Sequence, residues 1–304
     1  MRTTRARATR PLMASFAKAA LSLIALLAVA AFTPSRAAAQ VAEAEQDTLY
    51  RVTLVDGSTV FGRIVESSEN RIVLRTEAGA RVEIERSQIR DMRPVSGRLV
   101  NGQVWQEDAN HTRLFFAPTG RAVGHGKGYV GLYELFFSFV AVGVGDRITL
   151  AGGTPIIPGA IGEAFYLAPK ITVVNAERFQ LAAGALSFFL TDEIDEGSVG
   201  VAYGVATWGS SDNAVTVGAG WGFALTTDES AIADEPVLML GLEKRTSRGL
   251  KLISENYYVS GIALLSGGVR FLGERFSADL GLGAGISSDD SFFGLPILNV
   301  AWRF

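Results

Sequence analysis

The chain has 304 residues and a net charge of −3, and it combines 48% hydrophobic residues and 34 glycines with no cysteine at all. A slightly acidic balance excludes an extended nucleic-acid surface. The lack of cysteine excludes disulfides and lipid attachment through a thioether, so packing alone must stabilise the fold.

The chain opens on Arg2, Arg5, Arg7, Arg10 and Lys18 with no acid among them, followed by the apolar run "LSLIALLAVAAF" from Leu21 to Phe32. That run is too short for an easy bilayer crossing, which takes ~20 residues. Ala37-Ala38-Ala39 before Gln40 gives a small-x-small cleavage pattern. Residues 1–39 therefore read as an export signal peptide and 40–47 as a linker. No later apolar run is long enough for a transmembrane helix.

Residues 48–94 read as a small β module. Val52 to Val55 runs into Asp56-Gly57, a tight-turn pair, and is followed by Val60 to Val65, Ile72 to Leu74, Val82 to Ile84 and Ile89. The stretch "LVDGSTVFGRI" resembles SH3-like and Sm-like barrels, in which Asp-Gly closes the first hairpin and a later glycine bends the second strand. Nucleic-acid binding is not carried over from that resemblance, because residues 47–93 hold eight basic and eight acidic side chains with no basic stripe. The module is expected to be a periplasmic spacer or a site for a periplasmic protein or peptidoglycan, with 95–111 as a second linker.

From residue 112 to 304 the sequence alternates with period two. In Arg275 to Ser287, Phe276, Ala278, Leu280, Leu282, Ala284 and Ile286 fall on one face, against Ser277, Asp279, Gly281, Gly283 and Gly285 on the other. Val215, Val217, Trp221 and Leu225 oppose Thr216, Gly218, Gly220 and Gly222 in the same way. Alternation kept up over ten residues or more is what a tilted transmembrane strand requires, and glycine-rich faces are poor surfaces for a soluble sheet. The expected architecture is all-β: an antiparallel up-and-down transmembrane barrel of about twelve strands, with ten as the alternative, preceded by the small SH3/Sm-like barrel. The strands are expected near 112–118, 129–144, 147–155, 163–175, 178–190, 198–208, 214–226, 236–245, 250–259, 262–272, 275–286 and 295–304. Long and short connections alternate between them, with Gly120–Lys127 assigned to the long, outer set and Gly273-Glu274 to the short, inner set.

The last strand, "LPILNVAWRF", places Leu298, Val300, Trp302 and Phe304 on one face and ends on an aromatic residue. Residues 112–304 thus resemble the bacterial outer-membrane β-barrel superfamily, whose members end in this manner. The resemblance implies that these four residues form the signal read by the barrel-assembly machinery. It also implies an outer-membrane location, with lipid and lipopolysaccharide as surroundings and the N-terminal module in the periplasm. Trp208, Trp221, Trp302 and the Tyr257-Tyr258 pair are candidates for interfacial girdles.

No catalytic, cofactor or metal site is expected. His111 and His125 are the only histidines, and neither shows metal-ligand or triad spacing. Lys170, Glu243, Arg245, Lys251, Glu255, Arg270, Asp279 and Arg303 are the candidate lumen-lining residues, because a charge facing lipid at mid-membrane costs ~2–4 kcal/mol. Such mixed charges either line a wet pore or pair across it and plug it. Acidic outer loops such as "TDEIDEG" would favour cations at the mouth. The leading expectation is a small diffusion channel or transporter for ions or small solutes. The alternative is a structural envelope protein whose plugged barrel anchors the periplasmic module, and an outer-membrane hydrolase comes third.

Overall fold

The computed structural model describes residues 48–158, 161–190, 197–226, 230–287 and 291–304. The expected export signal (1–39), the expected linker (40–47) and most of the acidic loop residues lie outside the described residues.

Five strands build the first sheet: β1 (Leu49–Leu54), β2 (Thr59–Ser67), β3 (Arg71–Arg75), β4 (Arg81–Glu85) and β5 (Ile89–Val95). They are antiparallel in the order β4-β3-β2-β1-β5, so the first strand sits between the second and the last. Val52, Ile72, Leu74 and Ile84 are fully buried between them. The Asp56-Gly57 turn forms as the sequence suggests, with Gly57 at φ 89 and the Asp56 carboxylate accepting from the Ser58 N–H at 2.8 Å. A short hairpin, β6 (Gly97–Val100) and β7 (Gln103–Gln106), follows.

Two groups of strands form the second sheet. The first comprises β8 (Gly128–Tyr133), β9 (Phe137–Val144), β10 (Ile148–Gly153), β11 (Ala164–Leu167), β12 (Lys170–Ala176), β13 (Phe179–Leu190) and β14 (Gly197–Gly209). The second comprises β15 (Asn213–Thr226), β16 (Ser230–Ile232), β17 (Val237–Ser247), β18 (Leu250–Val259), β19 (Ile262–Leu272), β20 (Phe276–Ile286) and β21 (Ser291–Arg303). β11 and β12 both pair with β10 and β13, and β16 and β17 both pair with β15, so each couple is one interrupted wall strand. The wall is a closed antiparallel barrel of 12 strands, shut by pairing of β21 with β8 and of β10 with β9. Closure leaves no strand edge to face hydrocarbon. No α-helix occurs among the described residues.

The outer face is apolar along whole strands: Leu238, Leu240 and Leu242 on β17 are 44–46% exposed, and Leu280 and Leu282 on β20 are 50–53% exposed. A patch of this extent around the full circumference would be insoluble in water and fits a bilayer. We call the end where the Phe304 N–H donates to the Gly128 carbonyl (3.0 Å) proximal and the opposite end distal. Two aromatic pairs lie toward the proximal end, Phe179 against Trp208 (5.1 Å between centroids) and Phe276 against Trp302 (6.4 Å). Tyr258 faces outward, whereas Tyr257 turns into the lumen, so the two do not form a girdle pair.

Three further sequence expectations change. The stretch 129–144 is two strands, not one: β8 and β9 meet at a turn where Glu134 (φ 50) and Leu135 (φ 60) both take left-handed backbone. The stretch 112–118 is not a wall strand but lies inside the barrel. Gly120–Lys127 is not an outer loop; it also runs inside and returns to the proximal end, where Lys127 accepts from the Gly143 N–H at 3.0 Å.

Candidate functional site

The interior is built around residues 107–127, which enter from the proximal end and fold into the lumen. A tight hairpin forms at 112–119: the Leu114 N–H donates to the Ala117 carbonyl (2.9 Å), and the Thr119 N–H to that of Thr112 (2.9 Å). Phe116 is its exposed tip, while Leu114 and Phe115 are fully buried against Ile253 and Ile297. The glycine-rich inner face of the wall makes room for it. A Cβ on Gly241 would stand 2.0 Å from a Leu114 methyl, and one on Gly143 would stand 1.8 Å from the Gly124 carbonyl oxygen.

Charges from the segment and the wall meet in a buried network. Asp108 accepts from Lys251 (2.5 Å) and from Arg270 (3.0 Å). Glu243 pairs with Lys251 (3.0 Å) and with Arg121 (2.8 Å). Arg270 also bonds Asp279 (2.6 Å) and donates to the Leu114 carbonyl (2.6 Å) and the Asn110 carbonyl (3.1 Å). Asp279 in turn receives Asn299, which donates as well to the Phe115 carbonyl (3.1 Å). The Glu255 carboxylate accepts the N–H groups of Phe116 (3.0 Å) and Ala117 (3.1 Å) and the Tyr257 hydroxyl (2.5 Å). Lys170 donates to the carbonyls of Thr119 (2.9 Å) and Arg121 (2.6 Å). Gly120 is held between Thr207 and Thr172, and the His111 ring nitrogens lie 3.2 Å from the carbonyls of Asp108 and Ala122.

Seven of the eight candidate lumen residues, from Lys170 to Asp279, therefore point inward and are buried. Arg245 bonds Asp212 (3.0 Å) and the Gln106 carbonyl (2.7 Å) beneath the β6–β7 hairpin, and Trp105 of that hairpin lies 4.9 Å from its guanidinium. Arg98 pairs with Asp212 from the outside. Arg303, the eighth, sits at the proximal rim on Glu107. Leu298, Val300, Trp302 and Phe304 share the outward face of β21, 36–61% exposed. His125 stands at the proximal end and not in an outer loop, since Gly124 to Lys127 leads directly into β8.

Above the hairpin the distal half of the lumen is open. Three cavities of about 210, 490 and 220 Å³ meet at Phe116, walled mainly by apolar side chains such as Leu186, Val205, Met239 and Leu264. The barrel is thus a cup: its proximal half is filled by a bonded segment, and its distal half is an apolar vestibule. Sequence reasoning did not assign Asp108, Arg113, Arg121 and Asn299 to this interior.

No protein-family model matches the chain, and no curated protein matches it in sequence. Solved structures give weak likenesses. One is the KdgM porin, at 7% identity and TM-score 0.41 over 59% of this chain and 98% of that one. A second is a loop-deletion mutant of OmpT, an outer-membrane protein of Vibrio cholerae, at 12% identity and TM-score 0.37 over 84% of this chain and 96% of that one. A third is a mutant Rh. blastica porin, at 12% identity and TM-score 0.32 over 84% of this chain and 99% of that one. All are barrel proteins, but likenesses this weak say nothing about what this chain conducts or binds; the closed wall is established by its own strand pairing.

Proposed function

We propose that the chain is an outer-membrane barrel of the channel or transporter class that is held shut at rest by its own residues 107–127. The carrying observation is the ion-pair set that ties this segment to three neighbouring wall strands, Asp108 to β18 and β19 and Arg121 to β17, while Lys170 on the distant β12 holds its Thr119 and Arg121 carbonyls. Breaking a buried pair from one side costs ~3–5 kcal/mol, so several such pairs keep the segment in place unless a ligand or partner offsets them. The closed lumen argues against a permanently open diffusion pore for ions, and an apolar vestibule suits small solutes with apolar parts. The non-enzymatic character, the assembly-signal role of Leu298, Val300, Trp302 and Phe304, and the SH3/Sm-like identity of the first sheet belong to this reading.

The anchor reading is favoured by a separate observation: the β6–β7 hairpin and the first sheet dock on the proximal rim, through Arg98 to Asp212 and through Arg51 to Glu274 (3.7 Å). Planar-bilayer conductance of the refolded protein separates the two. The wild type is expected to show no sustained current, and Asp108→Asn or Arg121→Gln to show discrete openings. Sustained wild-type current would overturn closure by the segment. Silence of all three folded proteins would overturn the channel class and leave the anchor.

A further inference from the structure

The luminal charges do not all find partners. Arg121, Arg245, Arg270 and Arg303 each face a carboxylate. Arg113 faces none among the described residues. Its guanidinium donates to the Phe116 carbonyl of its own hairpin (2.6 Å) and stacks over Phe139, 4.1 Å from the ring centroid, with Tyr133 at 5.8 Å. A guanidinium keeps its charge at any pH a protein survives and carries five donors, so one carbonyl, a hydrogen bond with the Tyr129 side chain and two ring faces leave its charge without a counter-charge. A second cation, Lys170, lines the same small space and has only carbonyls for partners. Glu255, the acid at the hairpin tip, is already occupied by two backbone N–H groups and Tyr257. Glu134, in the β8–β9 turn at the mouth, makes no ion pair with Arg113.

Position matters as much as charge. Arg113 lines the cavity of about 210 Å³ that also holds Tyr203, Leu186 and Met239. It lines as well the cavity of about 220 Å³ on its other side, with Tyr166 and Phe188. The arrangement is an apolar cup, open distally, with one uncompensated cation and phenol groups at its floor. A site of mostly apolar walls and few polar groups takes ligands that are apolar with one polar end. Here that end must be anionic.

We propose that Arg113 anchors a binding site for small amphipathic anions, a monocarboxylate on a short alkyl chain being the reference case. The head group would take the free guanidinium donors in a charge-assisted pair, with Tyr203 alongside, and the chain would lie along the vestibule wall. This inference concerns the same lumen as the proposed function but does not need the segment to move, so binding and conductance can fail separately.

The test is isothermal titration of the full chain in lipid nanodiscs with hexanoate, hexanol and hexylamine, against empty nanodiscs. Hexanoate is expected to bind, hexanol at least tenfold more weakly, and hexylamine not at all. Arg113→Gln is expected to lower hexanoate affinity at least about tenfold, with Arg113→Lys recovering part of it, as for a hydrogen bond to a charged group. Tyr203→Phe is a milder second variant should Arg113→Gln not fold. Equal binding of hexanoate and hexanol, no loss in any folded variant, or no binding of hexanoate would each overturn the proposal.

Discussion

Asp108 is 1% exposed and lies between two cations, Lys251 and Arg270, that are themselves fully buried. Neutralising it leaves both cations with one partner fewer in a medium that solvates them poorly. Asp108→Asn is expected to lower barrel stability by ~3–5 kcal/mol, read as a lower urea midpoint with folding followed by tryptophan fluorescence. A change within ~0.5 kcal/mol would mean that the network is hydrated and weak. Half of such a network is legible in the sequence. Lys251, Arg270 and Asp279 sit on strands with clean parity, and the cost of a charge in lipid turns them inward. Asp108, Arg113 and Arg121 have no strand pattern around them, so nothing in the sequence says which wall they face.

The luminal hairpin and the wall strands around it are shaped to each other. Gly241 on β17 is where that fit is tightest, while a Cβ on Gly204 of β14 would meet nothing within 4 Å. Gly241→Ala must push Leu114 aside and is expected to cost ~1–3 kcal/mol by the same urea assay. Gly204→Ala is expected to be neutral or slightly stabilising, because the strand loses a glycine without a clash. Equal effects would show that the glycines serve strand curvature and not the fit of the hairpin. Parity located most wall strands well, from β13 to β21, because long strands between lipid and lumen cannot break it. It failed at β8 and β9 for a physical reason. Their three-residue turn keeps odd positions inward on both strands, as in Tyr133 opposite Phe137, so the pattern runs on through the reversal. Left-handed turn positions usually announce themselves with Gly or Asn, and here they are Glu134 and Leu135. The expected twelve strands thus matched the observed number through two offsetting differences, the split of 129–144 and the removal of 112–118 from the wall.

At the scale of the whole molecule, wall, segment and proximal hairpin make one closure. The wall supplies an apolar exterior and a small-residue interior; the chain just before the wall fills the proximal half of that interior; β6 and β7 bond the proximal rim at Asp212 and Arg245. The sequence offered two meanings for mixed luminal charge, a wet pore or a paired plug, and the proposal of a plug rests on the placement of 107–127. That placement depends on contacts between residues far apart in sequence, such as Asp108 with Arg270 and Phe115 with Asn299, which no local pattern encodes. The chain has no cysteine, so single-cysteine variants report position without background. The most direct measurement is maleimide labelling of Leu114→Cys, Phe115→Cys and Phe116→Cys in proteoliposomes of known orientation. With the segment lodged in the lumen, Phe116→Cys reacts with a membrane-impermeant reagent from the distal side only, and Leu114→Cys and Phe115→Cys stay protected until the barrel is unfolded. Rapid labelling of all three from the proximal side would contradict the plugged lumen.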